Sequence, residues 1–321
     1  MIRVKAPSNI ALVKYMGKTD AKDNLACNHS LSLTLGNLYS EVRMAPSRDW
    51  HARVINPERA LNFLKRLEVE LPPVLEPMGY RCQSGPVSFE SSNTFPAGAG
   101  IASSASAFAA LTTAYAMIVC PEVVQNWEDK GLRGELAALS QKGSGSSCRS
   151  FLGPFVRWDG RRVHEVSSSL NLCDLVLLVD AGKKAVGSSE AHQRVLTSPL
   201  WSGRIERAND RCDRVQEALQ NNRFQDLARE VWAEAWEMHS LFHTTEPPFS
   251  YWKPGTMELL EFLGPWAEQG RMAVTLDAGP NLHVIIPLEE KEEWISKIQE
   301  RFPQTQVLSD QASAGPTWEQ L

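Results

Sequence analysis

The sequence predicts a mixed α+β fold in two domains, and three observations carry that expectation. The chain has 321 residues, 43% hydrophobic and 22% charged, which is ordinary globular composition with enough length for two cores. Segments with a strand period of two and segments with a helical period both occur, without the strict alternation of a βαβ protein. A break at Asn171-Leu172 is followed by the apolar strand C-D-L-V-L-L-V-D at residues 173–180. The expected division is therefore 1–171 and 172–321.

The elements follow in order. Residues 30–35 read S-L-S-L-T-L, the alternation of a half-buried strand. Gly36-Asn37 then reads as a turn, with the next strand at residues 40–44. Residues 57–71 carry Leu61, Phe63, Leu64, Leu67 and Leu71 at helical spacing. Residues 87–91 form a short strand that feeds a Gly-rich loop. Residues 102–119 form a helix almost without charge, which predicts burial on most sides. Residues 130–140 form another helix, ending near Gly143. Residues 155–158 and 163–166 flank Asp159-Gly160, a hairpin signal.

In the second half, residues 205–220 and 224–241 read as helices joined by Asn221-Asn222, and residues 256–269 as a third, preceded by Pro254-Gly255. Strands at residues 272–276 and 283–287 enclose Asp277-Ala278-Gly279-Pro280-Asn281. Residues 289–301 form a charged, exposed helix, and the tail after Val307 is expected to be loosely held.

Composition excludes several functions. A net charge of −5 gives no broad nucleic-acid footprint. The opening M-I-R-V-K-A-P lacks a signal-peptide core, and no run approaches the ~20 apolar residues of a membrane helix. None of the cysteines at 27, 82, 120, 148, 173 and 212 forms a C-x-x-C pair, so all six are expected as reduced thiols of a cytoplasmic protein. The histidines show no H-E-x-x-H spacing, and no metal ligand is assigned. His239 and His243, four apart, lack an evident third ligand and read as structural. Trp201, Trp232, Trp236 and Trp252 read as core or subunit-contact residues.

Five segments carry chemistry. Residues 96–106 read P-A-G-A-G-I-A-S-S-A-S and run into the apolar helix. Gly98 and Gly100 let the backbone turn and approach a ligand, Pro96 and Ala102 flank them in the candidate nucleotide loop, and Ser103, Ser104 and Ser106 add hydroxyls where unpaired N–H groups favour phosphate. An ordinary loop and cap is the alternative. Lys14, Tyr15 and Lys18, within A-P-S-N-I-A-L-V-K-Y-M-G-K at residues 6–18, suit a phosphate or diphosphate. An edge strand with solvated lysines would read the same way. Ser144, Gly145, Ser146 and Arg149 lie in G-S-G-S-S-C-R-S at residues 143–150, where an isolated guanidinium matches a carboxylate. Residues 183–189, K-K-A-V-G-S-S, read either as an exposed loop or as a phosphate contact through Ser188 and Ser189. Asp277, at a strand end beside small residues, is placed to act on a ligand or to form a tight Asx turn.

Taken in order along the chain, these motifs resemble the mevalonate diphosphate decarboxylases of the GHMP kinase superfamily, over nearly the whole length. The resemblance rests on A-P-x-N-I-A-x-x-K-Y-x-G-K at residues 6–18, S-L-S-x-T-L at 30–35, N-x-F-P-x-x-A-G-x-A-S-S-A at 93–105, G-S-G-S-x-C-R-S at 143–150 and D-A-G-P-N at 277–281. It implies an N-terminal ribosomal-S5-like domain and a C-terminal ferredoxin-like domain, with the site between them. It also implies ATP-dependent conversion of 5-diphosphomevalonate to isopentenyl diphosphate, with ATP and Mg²⁺ as cofactors, in a cytoplasmic homodimer. By position, Asp277 would face the substrate 3-hydroxyl, with Lys14 as its partner, and Arg149 would hold the carboxylate. Tyr15, Lys18, Ser144, Gly145, Ser146, Ser188 and Ser189 would contact substrate, and residues from Pro96 to Ser106 would contact the nucleotide.

The sequence departs from the family pattern at three places. Met16 stands for the usual tryptophan, Ala26-Cys27-Asn28-His29 precedes the S-L-S strand, and Ser188-Ser189-Glu190-Ala191-His192 replaces S-S-x-x-G-M. The alternatives are a phosphomevalonate decarboxylase, a kinase that stops at the 3-phosphate, or an inactive binding protein.

Overall fold

The computed structural model describes residues 1–95, 103–180, 182 and 184–321. Its first half runs β1 (Ile2–Val13), β2 (Lys18–Asp20), β3 (Leu25–Ala26), β4 (Ser30–Pro46), β5 (His51–Arg53), α1 (Pro57–Glu70), α2 (Pro72–Leu75), β6 (Val87–Asn93), α3 (Ser103–Val119), α4 (Glu122–Gln125), α5 (Lys130–Gln141), β7 (Phe155–Trp158) and β8 (Val163–Glu165). The second half runs β9 (Leu172–Leu178), α6 (Ser188–Arg194), α7 (Arg204–Gln220), α8 (Phe224–His243), α9 (Pro254–Glu268), β10 (Ala273–Thr275), β11 (Leu282–Pro287), α10 (Lys291–Arg301), β12 (Gln306–Gln311) and β13 (Thr317–Gln320).

Among the described residues, β13, β1, β4, β6 and β5 lie side by side in that order, and β7 and β8 extend the sheet from β4. A second sheet has the order β10, β11, β9, β12, and β2 pairs with β3 as a small ribbon. The β5–β6 ladder is parallel. The α+β class holds: strands and helices are mixed, and helices cover both sheets.

β1 shows how the two halves meet. Ile2, Val4 and Ala6 are buried and alternate with the half-exposed Arg3 and Lys5, but from Ala6 to Val13 every residue is buried. Coverage of one face gives alternation, and coverage of both gives a continuous buried run. α3 packs on β1 and β4, and α7 contacts the same two strands while α8 reaches β1 and β10. Ile10, Leu12, Leu31 and Leu33 therefore share one core with Val176, Val215, Leu227 and Val231.

That double coverage corrects the half-buried reading of residues 30–35, all of which are buried. Leu31, Leu33 and Leu35 enter the shared core. On the opposite face, Ser30 Oγ accepts a hydrogen bond from Arg149 and Thr34 Oγ1 donates to the Leu152 carbonyl. The expected turn at Gly36-Asn37 is also absent, because β4 runs through it. The Asp310 carboxylate accepts from the N–H groups of Gly36, Asn37 and Leu38 at 3.0, 2.7 and 2.7 Å, which removes the need for a turn to satisfy them.

The tail after Val307 is likewise not loose. β12 pairs with β9, and β13 returns to pair with β1. Trp127 and Arg133 donate to the carbonyls of Pro316 and Ala314 between these strands. We expect Asp310→Asn to cost roughly 1.5–3 kcal/mol, the worth of hydrogen bonds to a buried charge, read as a lower urea midpoint.

The cysteine expectation fails at one pair. Cys82 and Cys120 form a disulfide, while Cys27, Cys148, Cys173 and Cys212 are free. The 38-residue separation gave no sequence signal. The backbone supplies the proximity, since Gln83 N–H donates to the Val119 carbonyl at 2.7 Å.

The seven expected helices and the 155–166 hairpin lie within a few residues of expectation, while the short helices α2, α4 and α6 were not expected. Asn56 caps α1 by accepting from Arg59 N–H, and Asp159 closes the hairpin by accepting from the N–H groups of Arg161 and Arg162. α3 is apolar all round because the long strands lie on one side of it and α1 and α5 on others. No helix among the described residues is long and apolar enough to cross a membrane.

Candidate active site

A cavity of about 390 Å³ opens where the end of β1, the tight turn Gly145–Ser150, the start of α6 and the turn after β10 converge. That volume is typical of small-molecule sites. Beyond Val13 the chain leaves the sheet, and Lys14 is held by its backbone. Its N–H donates to Glu234 Oε1 at 3.0 Å, and its carbonyl accepts from Asn28 Nδ2 at 2.9 Å. Asn28, within one of the segments that departs from the family pattern, thereby fixes the turn into Tyr15.

Lys14 is not a solvated edge-strand lysine. It is 2% exposed, and its Nζ lies 2.8 Å from Asp277 Oδ1. Burial lowers the Lys14 pKa below the ordinary lysine range, and the Asp277 carboxylate only partly offsets this. Burial would raise the Asp277 pKa, but the ammonium beside it prevails and holds the carboxyl below its usual range. Asp277 is therefore a carboxylate at neutral pH, and its negative charge favours the protonated form of Lys14 against the effect of burial. Asp277 keeps 24% of its side chain exposed, toward the cavity.

Arg149 faces the same space from the Gly145–Ser150 turn. It is 3% exposed, with Nη1 donating to Ser30 Oγ at 2.8 Å and Nη2 to Asn9 Oδ1 at 3.3 Å. Asn9 is itself fixed by donating to Ser150 Oγ at 2.8 Å. Among the described residues no group accepts from the buried Arg149 Nε, and no carboxylate pairs with the guanidinium. A buried cation held by neutral oxygens is suited to receive an anion from outside the protein.

Tyr15 forms the wall between these groups and α6. Its ring lies 4.4 Å from the His192 ring and 5.0 Å from that of Trp158, centroid to centroid. A Cβ on Gly145 would stand 2.5 Å from the Tyr15 ring, so the turn passes flush against the phenol only because residue 145 has no side chain. Gly145→Ala is expected to push the ring aside and raise the substrate KM more than it lowers kcat, in steady-state assays. Lys18 Nζ donates to Asn24 Oδ1 at 2.7 Å, and the Tyr15 hydroxyl donates to the Asn24 carbonyl. Burial lowers the Lys18 pKa, and Arg59 nearby adds to that effect.

Most of the sequence-selected residues come together here. Lys14, Tyr15, Lys18, Ser144, Gly145, Ser146, Arg149, Ser188, Ser189 and Asp277 all line the cavity, as do Ser103 and Ser104 of α3. Ser104 and Ser144 hydroxyls meet at 3.2 Å, joining the two Ser-rich segments. Ser106 is the exception: it is fully buried, with its hydroxyl 2.7 Å from that of Ser40, so it supports α3 from beneath. Pro96, Gly98, Gly100 and Ala102 lie outside the described residues. The segment expected as a loop at 183–189 opens α6 at Ser188.

Four lining residues with polar or charged side chains were not selected as site residues from sequence: Asn24, Arg59, Lys184 and His192. Asn24 adopts φ 54°, which asparagine tolerates, but no motif marks it. Arg59, at the start of α1, donates to the Gly143 carbonyl at 2.8 Å. Lys184 belongs to the K-K-A-V-G-S-S segment, and burial lowers its pKa. His192, which stands at the family's glycine position, is 9% exposed, and burial with Lys18 nearby pushes its pKa down to about 3. It is a neutral ring at any physiological pH. Met16 is 4% exposed and packs with Val186, Ala191, Met238 and Tyr251, so the position of the usual tryptophan is still an apolar anchor. His239 is fully buried against Trp252, with no metal cluster of three His, Cys, Asp or Glu among the described residues.

With this geometry in place, comparison with known proteins is specific. A family profile described as the diphosphomevalonate decarboxylase-like N-terminal domain matches residues 6–169, and one described as the mevalonate 5-diphosphate decarboxylase C-terminal domain matches residues 174–319. The diphosphomevalonate decarboxylase of Ganoderma lucidum is 30% identical, covering 95% of this chain and 83% of its own length. The crystal structure of a mevalonate diphosphate decarboxylase from Legionella pneumophila is 33% identical, with a TM-score of 0.78 over 96% of this chain and 100% of that one. The structure of MDDEF in complex with MVAPP, AMPPCP and magnesium is 26% identical, with a TM-score of 0.82 over 100% of this chain and 99% of that one. Two profiles spanning nearly all residues, together with these relatives, place the chain in the mevalonate diphosphate decarboxylase family.

Proposed function

We propose that the chain catalyses the ATP-dependent decarboxylation of 5-diphosphomevalonate to isopentenyl diphosphate, CO₂, ADP and phosphate. One observation carries the assignment of residues: a buried ammonium–carboxylate pair, Lys14 and Asp277, faces the same cavity as a buried guanidinium, Arg149, that has no protein carboxylate. A substrate with a hydroxyl and a carboxylate on adjoining carbons would satisfy both.

In the proposed reaction the tertiary 3-hydroxyl oxygen of the substrate attacks the terminal phosphorus of ATP, the bond to ADP breaks, and the hydroxyl proton passes to the transferred phosphoryl oxygens late in the step. Asp277 accepts a hydrogen bond from that hydroxyl and orients it. A carboxylate of lowered pKa is a weak base, which suits a phosphoryl transfer whose transition state is loose and needs positioning more than deprotonation. The C3–O bond then breaks, its electron pair leaving with phosphate, and positive charge grows at C3. Asp277 opposes that charge at short range in a site with little water. As CO₂ departs, the C1–C2 electron pair becomes the C2–C3 double bond. Arg149 holds the carboxylate out of alternative conformers until then.

Tyr15, Lys18, Ser144, Gly145, Ser146, Ser188 and Ser189 line the end of the cavity suited to the diphosphate. Ser103 and Ser104 would lie on the nucleotide side. Magnesium supplies charge neutralisation on the nucleotide phosphates. The residues present offer no three-carboxylate cage among those described, and a cation that keeps water and phosphate ligands needs none. Cytoplasmic action as a homodimer belongs to the same proposal, and a monomeric mass in light scattering would remove the dimer from it.

The experiment is a steady-state assay of ADP release with ATP and, in turn, mevalonate, 5-phosphomevalonate and 5-diphosphomevalonate. The account expects turnover with the diphosphate. Turnover with the monophosphate alone would replace the substrate, and turnover with none would point to a binding protein.

A further inference from the structure

The Lys14–Asp277 pair is supported from below by a buried charge network that the proposed reaction does not use. Glu234 of α8 is fully buried. It receives both terminal nitrogens of the buried Arg204 of α7 and, at 2.6 Å, Arg211 Nη1. Glu237, one turn along α8, pairs with Arg204, Arg207 and Arg211. The same Glu234 oxygen that Arg204 engages also accepts the Lys14 backbone N–H at 3.0 Å, across 220 residues of sequence.

We propose that Glu234 is a positioning residue that holds Lys14, through its backbone, in register with Asp277. Three features argue for this beyond packing. Lys14 is the first residue past β1, so its N–H has lost its ladder and would be orphaned in the interior without an acceptor. The opposite side of the same residue is tied by Asn28, so the main chain is clamped at both its donor and its acceptor. An ion network replaced by well-packed apolar side chains often costs nothing in stability, so its placement against this one peptide is better explained by geometry than by folding.

Glu234 also acts on the Lys14 charge. The groups that face the ammonium are Asp277 from the turn after β10, Glu234 and His239 from α8, and Arg149 from the Gly145–Ser150 turn. Asp277 and Glu234 favour the charged form, burial and Arg149 oppose it, and His239 is neutral. Removing the Glu234 charge therefore lets Lys14 lose its proton at lower pH.

This inference rests on the proposed function, and its test separates the two. Glu234→Gln keeps an acceptor but removes the charge. The double variant Arg204→Met with Glu234→Met removes the pair and fills the space. Thermal unfolding reports folding, and steady-state kinetics report kcat and KM. Titration of the Lys14 ammonium by NMR in ligand-free protein, its signal identified by loss in Lys14→Arg, needs no activity.

The double variant is expected to fold, with kcat lower by as much as about 10²-fold from a misplaced ammonium and substrate KM little changed. In Glu234→Gln, which removes the anion alone, the basic limb of the kcat profile and the Lys14 titration should move to lower pH. A folded double variant with wild-type kcat, together with an unmoved Lys14 titration in Glu234→Gln, would overturn the proposal. A wild type that turns over no mevalonate species defeats the functional reading instead, and the Lys14 titration then decides the role of Glu234 alone.

Discussion

Asp277→Asn is expected to lower kcat by at least about 10³-fold, with the KM for ATP little changed. The amide keeps the shape of the carboxylate but cannot oppose positive charge at C3, and that charge exists only in the transition state. The substitution also removes the anion beside Lys14. A buried lysine already displaced downward by burial then loses its main support, and its pKa falls further. The basic limb of the residual activity should accordingly move to lower pH, which a pH profile of the purified variant measures. A variant with wild-type kcat would remove Asp277 from the chemistry.

Arg149→Met should cost about 10²- to 10³-fold in kcat/KM for the phosphorylated substrate, the magnitude of losing one preorganised electrostatic contact in a water-poor site. Arg149→Lys should rescue little, because one ammonium cannot reproduce the planar fork that meets Ser30, Asn9 and an incoming carboxylate together. The contrast with stability is informative. Loss of the guanidinium leaves the buried Ser30 and Asn9 oxygens short of a donor, at a cost of about 1–3 kcal/mol. Urea unfolding can therefore be set beside the kinetics. A kinetic loss fully explained by unfolded protein would refute the assigned role.

The site was legible in the sequence because its residues sit in short motifs whose chemistry is local. K-Y-M-G-K, G-S-G-S-S-C-R-S and D-A-G-P-N each bring a charged group next to small residues, and the structure brings all three to one cavity. The sequence also located the seven longer helices, and missed the short α2, α4 and α6. What sequence could not show was what lies on the far side of an element. S-L-S-L-T-L alternates as a half-buried strand does, yet its polar face is buried against Arg149 and the Gly145–Ser150 turn. Gly36-Asn37 has turn composition, but it forms an irregularity in the β1–β4 pairing, and the carboxylate that satisfies its N–H groups comes from Asp310, more than 270 residues away. The tail looked loose because its two strands are half-exposed, and their partners are β9 and β1. Cys82 and Cys120 meet through a backbone contact that no spacing rule anticipates. Glu234 was invisible for the same reason, being an ordinary acidic residue of an amphipathic helix until Lys14 is placed beside it.

His192 marks the largest difference from the family pattern within the cavity. A neutral ring where the family has glycine packs against Tyr15 and lies near Lys18, without adding charge to the cavity. Tyr15, Lys18, Ser188 and Ser189 line the same cavity around it.

The central claim is that phosphoryl transfer and carbon–carbon cleavage happen in one site, on one substrate. It is tested most directly by incubating the protein with ATP, magnesium and 5-diphosphomevalonate carrying ¹³C in its carboxylate, and following labelled CO₂ and ADP together. The account predicts one labelled CO₂ for each ADP from the earliest turnovers. ADP that accumulates without labelled CO₂ would contradict it, and would make the protein a kinase that stops at the 3-phosphate.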